Sequence, residues 1–111
     1  ADYYEMLGYA YLQIKSHEDA VKVYQEIINL YPDTAEYRNS LGIAYMLTGR
    51  YIRAIDQFQL AIHVEPLKPD YHLNLAKAYQ QINHQQKANQ ALSEYRHLDS
   101  ETPDTLNRHQ E

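Results

Sequence analysis

The chain has 111 residues, with 10 Lys and Arg against 15 Asp and Glu, six His and no Cys. That length suits one domain or one array of small repeats. The net charge of −5 speaks against a nucleic-acid partner, which needs a basic surface, and the missing Cys removes disulfides, thiol catalysis and Cys-based zinc sites.

The opening residues, Ala1-Asp2-Tyr3-Tyr4-Glu5, lack both the basic and the apolar region of a signal peptide. They also lack an initiator Met, which reads as a processed chain or an excised fragment. No apolar run nears the roughly 18 residues of a membrane span, so direct membrane insertion is not expected. The default expectation is a soluble cytoplasmic protein.

A first helix is expected at about 2–14, where Leu7, Ala10, Tyr11 and Ile14 follow the i, i+3, i+4, i+7 stripe. Ser16 is an N-cap candidate for a second helix at 17–30, followed by Glu18 and Asp19, which suit a helix N-terminus. Its stripe is Ala20, Val23, Tyr24, Ile27 and Ile28, and Pro32 stops it. Helices at 36–48 and 51–64 follow, separated by Thr48-Gly49-Arg50, with Gly49 suited to a left-handed C-cap. The last pair is expected at 70–82 and 85–97, with Asn83 doing the work of Gly49. No alternation supports a strand. Residues 103–111 are a polar tail or the start of a further helix, with Thr102 as N-cap and Pro103 at its first position.

The pairs repeat every 34 residues. Tyr4-x2-Leu7-Gly8-x2-Tyr11, Ala20-x3-Tyr24 and Pro32 return as Arg38-x2-Leu41-Gly42-x2-Tyr45, Ala54-x3-Phe58 and Pro66. They return again as His72-x2-Leu75-Ala76-x2-Tyr79 and Ala88-x3-Leu92, without the proline. In this the chain resembles the tetratricopeptide-repeat family, whose signature is W-x2-L-G-x2-Y, A-x3-F and P. It departs in having no Trp, in Arg38 and His72 at the Trp place, and in the large Ile27 and Tyr95 where the family carries a small residue. The resemblance implies an all-α solenoid of three tandem helix-turn-helix repeats in a right-handed superhelix, with repeats 1–34, 35–68 and 69–102. Gly8, Gly42 and Ala76 would let the paired helices approach closely. Tyr95, whose counterparts are Ile27 and Ala61, would cover the open end.

The resemblance also implies that the first helix of each repeat lines a concave groove for peptides. Carried over by position, the lining is Glu5, Met6, Tyr9 and Leu12, then Glu36, Asn39, Ile43, Met46 and Leu47, then Asp70, Leu73, Asn74 and Lys77. Tyr9, Leu12, Ile43, Met46 and Leu73 form an apolar patch, either a partner surface or packing between neighbouring helices. Asp2, Glu36, Asp70 and Asp104 form an acidic stripe, either helix-terminal charges or a selector of basic ligands. The chaperone-binding subtype grips a C-terminal carboxylate with Lys, Asn and Arg. Here those places hold Glu5, Tyr9, Ser40, Asp70 and Asn74, so no such clamp is expected.

His17, His63, His72, His84, His97 and His109 contain no i, i+4 pair and no His-Glu-x-x-His, so they are expected at solvated or helix-end places rather than on a metal. Nothing sets a nucleophile beside an oriented base, and no glycine-rich phosphate loop exists, so no catalysis and no cofactor are expected. The expected function is that of a binding scaffold or adaptor. Its partner would be a protein or peptide segment with apolar anchors and basic flanks. The alternative is a structural or self-associating section of a longer superhelix, with weak head-to-tail contacts between its ends.

Overall fold

A computed structural model of the chain describes residues 2–101, with the backbone alone for Asp2. Six helices follow one another: α1 (Asp2–Gln13), α2 (His17–Leu30), α3 (Ala35–Leu47), α4 (Tyr51–Val64), α5 (Pro69–Gln81) and α6 (Gln85–Ser100). Five match the expected spans to within a residue at each end, and α6 runs three residues further, to Ser100. No strand occurs among the described residues. The reading of Thr102, Pro103 and the tail lies outside them.

Each helix packs on the next along the chain, and α3 also touches α5. The chain is therefore three stacked helix pairs, an all-α solenoid. Its radius of gyration is 14.7 Å, above the roughly 13 Å of a rounded domain of this length. The elongation follows from stacking, in which each pair meets only its neighbours.

The core shows why the stripes fold this way. Ala20, Ala54 and Ala88 are fully buried at the helix crossings. Opposite them a Cβ on Gly8 would lie 2.8 Å from the Tyr24 ring, and one on Gly42 would lie 2.4 Å from the Phe58 ring. Glycine is required at both places by close approach rather than by backbone freedom. Ala35, Ala61 and Tyr71 form a second cluster between α3, α4 and α5.

The turn inside each pair is built alike. Lys15, Gly49 and Asn83 take positive φ of 64°, 77° and 61°. The next residue's N–H then bonds back over the helix end: Ser16 to Tyr11 at 2.8 Å, Arg50 to Tyr45 at 2.8 Å and His84 to Tyr79 at 3.0 Å. These are Schellman closures. Gly49 and Asn83 were expected there; Lys15 takes the same conformation against its side chain's preference. Ser16 stands at the N-cap of α2 as expected, but its side chain makes no cap hydrogen bond. Its carbonyl, instead, accepts from Ala20 N–H at 3.1 Å.

Links between repeats also recur in register. Gln25 Nε2 donates to Tyr45 Oη at 2.9 Å, and Gln59 Nε2 to Tyr79 Oη at 3.0 Å. Arg38 Nη2 donates to the Pro32 carbonyl at 3.2 Å, and His72 Nε2 lies 2.9 Å from the Pro66 carbonyl. The position that holds Trp in the family signature therefore holds a polar tie to the end of the preceding helix. His72 is buried, which corrects the expectation of a solvated or helix-end histidine. Arg50 and Glu18 add an ion pair at 2.9 Å between the first two repeats.

The two ends differ from the middle. Tyr37 and Tyr71 are buried beneath the preceding pair, whereas their counterpart Tyr3 is 72% exposed. Ala44 and Ala78 are fully buried, and their counterpart Ala10 is exposed. At the other end Tyr95 is half-buried, where Ile27 and Ala61 are fully buried.

Candidate functional site

The first helices α1, α3 and α5 stand side by side and leave two clefts, one on each side of α3. The cleft between α1 and α3 is open. It holds a cavity of about 220 Å³ lined by Glu5 and Tyr9 from α1, Tyr24 from α2, and Glu36, Tyr37 and Ser40 from α3. Ser40 faces the Tyr24 phenol, and the Tyr37 phenol faces the Glu5 carboxylate. The lining is therefore two carboxylates, three phenols and one hydroxyl, with no basic group.

The electrostatics follow from that composition. The facing Glu5 carboxylate, then burial, then the charge of Glu36 push the Tyr37 phenol up to about 12. Burial pushes the Tyr24 phenol up as well, opposed by the facing Ser40 hydroxyl and reinforced by Glu5 and Glu36. Each phenol resists becoming a third anion in a site that already holds two.

The cleft between α3 and α5 sits 34 residues on. The same six places there hold Asn39, Ile43, Phe58, Asp70, Tyr71 and Asn74. Asn74 Nδ2 donates to Asn39 Oδ1 at 2.9 Å and ties the two walls together. Lys68 Nζ lies 5.6 Å from the Tyr71 ring centroid. The Tyr71 hydroxyl donates to Glu65 at 3.4 Å. Burial and the charge of Glu65 push its phenol up to about 12.

Of the expected lining, the structure brings Glu5, Tyr9 and Glu36 into the one cavity. Met6 at 72% and Tyr9 at 62% are exposed on α1, and Leu47 at 49% near the end of α3. Leu73 is half-buried, while Glu36, Asp70 and Lys77 are exposed. Glu36 and Asp70 occupy the first turns of α3 and α5, so they also serve the helix ends. Leu12, Ile43 and Met46 are half-buried and pack against the main core. The apolar patch is thus largely packing between helices, with Tyr9 as its freely exposed member, while Met6 and Leu47 of the wider lining are exposed as well. Asn39 and Asn74, expected as open lining, bond to each other instead. The side chain of Asp2 and residue Asp104 lie outside the description.

The sequence pattern puts Tyr24 on the core stripe and does not single out Tyr37 as a site residue. One signal was available: Tyr24 stands where the next repeat has Phe58, so a hydroxyl is present that core packing does not need. Among the described residues no three His, Asp or Glu side chains gather as metal ligands would. No helix there is long and apolar enough to cross a membrane.

Comparison with known proteins agrees with the fold. No curated protein sequence matches the chain. Among solved structures it is similar to MamA from MSR-1, with 27% identity and a TM-score of 0.82, over 87% of this chain and 56% of that one. The chain thus spans little more than half of that relative. PcrH in complex with the chaperone binding region of PopD gives a TM-score of 0.89 at 21% identity, over 96% of this chain and 80% of that one. A T3SS complex from Aeromonas hydrophila gives 0.90 at 19%, over 96% and 71%; at these identities the likeness is one of fold. The family model for the tetratricopeptide repeat matches residues 5–72, and with the repeat period, the paired helices and the small residues at their crossings this places the chain in the tetratricopeptide-repeat family.

Proposed function

We propose that the chain is a non-catalytic scaffold that holds a protein or peptide segment in the groove of α1, α3 and α5. The observation that carries this reading is the open cleft beside α3, lined in part by the exposed Tyr9, with Met6 and Leu47 also exposed on the first helices α1 and α3. Apolar side chains left exposed beside a cavity suit a partner's anchors, and Met6 and Met46 can repack around different shapes. The half-buried Ile43 and Leu73 extend the apolar surface along the groove. Glu36 and Asp70 would favour basic flanks on the ligand and speed its approach. Support also comes from the fold neighbour PcrH, which was solved holding a segment of PopD.

The test is a pull-down followed by binding measurements on variants. Leu47→Glu alters an exposed residue and should leave folding intact. It should weaken the captured partner by about tenfold or more, as expected for a charge set in an apolar contact. Ile43→Glu should weaken it further, with circular dichroism and melting recorded because this side chain also packs on the core. Wild-type binding by both variants would move the working surface elsewhere.

A second reading has its own observation. Tyr3 and Ala10 are exposed while both of their repeat counterparts are buried under a preceding helix pair. This favours α1 as a stacking face in a longer or self-associated array, with a head-to-tail contact that does not close on itself. Sedimentation over a range of concentrations, with Tyr3→Glu as the control, tests it. A monomer throughout counts against self-association.

A further inference from the structure

We propose that the cavity between α1 and α3 seats the basic side chain, Lys or Arg, of a bound peptide. The identity of the natural ligand rests on the groove reading above; the cation preference of the cavity does not. The cavity brings one carboxylate from each wall, Glu5 from α1 and Glu36 from α3, around a space of about 220 Å³. Tyr9, Tyr24 and Tyr37 supply aromatic surface to the same space. Carboxylates draw a cation and give charge-assisted hydrogen bonds, while aromatic faces attract it through the ring quadrupole. The two together select a cation over a neutral chain of the same length.

The molecule contains its own control. In the second cleft four of the six places of the cation site have been exchanged, while Asp70 and Tyr71 keep the acid and the phenol of Glu36 and Tyr37. Glu5 becomes Asn39, Tyr9 becomes Ile43, Tyr24 becomes Phe58 and Ser40 becomes Asn74. The two asparagines bond across the gap. The second cleft also supplies its own cation: Lys68 stands by the Tyr71 ring, where the first cleft has Thr34 beside Tyr37. So the open anionic cavity is not a general consequence of stacking two repeats. Because the second cleft lacks a counterpart of the Glu5 carboxylate and holds Lys68 of its own, the site also fixes the register of a ligand. Its basic residue lies between α1 and α3, with its apolar anchors on the exposed side chains of those first helices outside the cavity, Met6 and Leu47.

The experiment titrates the whole chain with three small probes: N-acetyl-lysine amide, N-acetyl-arginine amide and the neutral N-acetyl-norleucine amide. Backbone amide shifts are followed by NMR. At least one cationic probe should give saturable shifts confined to Glu5, Tyr9, Glu36, Tyr37 and Ser40, with the norleucine probe at least about tenfold weaker. Glu36→Gln should weaken the cation by a similar factor. The double variant Glu5→Asn with Ser40→Asn copies the asparagine pair that the second cleft already tolerates, so it should fold and lose the probe. Equal binding of the neutral probe overturns the proposal. So do cation shifts spread equally over Asp70 and other surface acids, or unchanged binding by the double variant. These outcomes are independent of Leu47→Glu. A cation site can stand while the groove reading fails, and a groove partner can bind while this cavity proves indifferent to charge.

Discussion

The cleft between α1 and α3 and the cleft between α3 and α5 rest on one 34-residue frame, yet the first holds an open anionic cavity and the second is bridged by its own asparagines. The frame itself hardly differs. Tyr37 and Tyr71 are both buried, as are Leu41 and Leu75, and the same turn closes each pair. The differences sit at Glu5 and Asn39, Tyr24 and Phe58, Ser40 and Asn74, and Thr34 and Lys68. Repeat stacking fixes the walls of a cleft, while a few places facing it decide whether the gap is a site or a seam. One scaffold can thus carry unlike sites without any change in its core.

The largest expected effect strikes the floors of both clefts. Gly42→Leu would drive side-chain atoms into the buried Phe58 ring and should cost about 1–3 kcal/mol or more. Gly8→Leu would displace Tyr24 and the floor of the open cavity with it. Thermal or urea unfolding measures both, and an unchanged midpoint for Gly42→Leu would break the helix pairing on which the comparison stands.

Alkaline titration comes next. Tyr37 and Tyr71 are both raised to about 12 from the ordinary 10.0. Between those values the folded chain holds protons that the unfolded chain has released, so stability present below pH 10 falls as the pH rises toward about 12. Phenolate absorbance should show Tyr37 and Tyr71 ionising late, with Tyr24 also above the ordinary range. Glu5→Gln should lower the Tyr37 value and leave Tyr71 in place, which separates the two clefts by their chemistry. Equal movement of both would contradict the assignment.

A smaller effect comes from opening the seam. Asn74→Ser copies Ser40 into the second cleft and removes the Asn39 bond, at about 0.5–1.5 kcal/mol; urea unfolding reads the loss. The smallest effect is a gain. Lys15→Gly gives the first repeat the residue that Gly49 already supplies to the second. Relief of the left-handed strain, partly offset by the freedom glycine adds to the unfolded chain, should stabilise the fold by up to about 1 kcal/mol. A lower melting temperature would show that Lys15 is not strained there.

Helix positions are legible in the chain because burial imposes a stripe, and the repeat period because each pair must bury the same stripe against the next. Gly8 and Gly42 announce the crossings, since only a missing side chain lets a ring come so near. The site is less legible. Leu12, Ile43 and Met46 occupy groove positions by family pattern, but their half-burial depends on the spacing of neighbouring first helices, which no local pattern encodes. The Asn39–Asn74 bond and the pairings of Tyr24 with Ser40 and of Tyr37 with Glu5 join residues from different helices, and polar partners at that distance leave no periodic trace. Lys15 has no turn signature of its own. Only its alignment with Gly49 and Asn83 betrays it, and columns of equivalent residues are the place to look for such conformations.

The cavity draws Glu5, Tyr9 and Tyr24 from one repeat and Glu36, Tyr37 and Ser40 from the next. Its width is therefore set by the angle at which the two repeats stack. A solenoid deforms at such junctions first, because each repeat touches only its neighbours. Bending or stretching the array would change the gap between Glu5 and Glu36 more than it would change either repeat. A cation bridging them would act as a clip across one coil of a spring, stiffening it while bound, and tension along the array would in turn weaken the grip on the ligand.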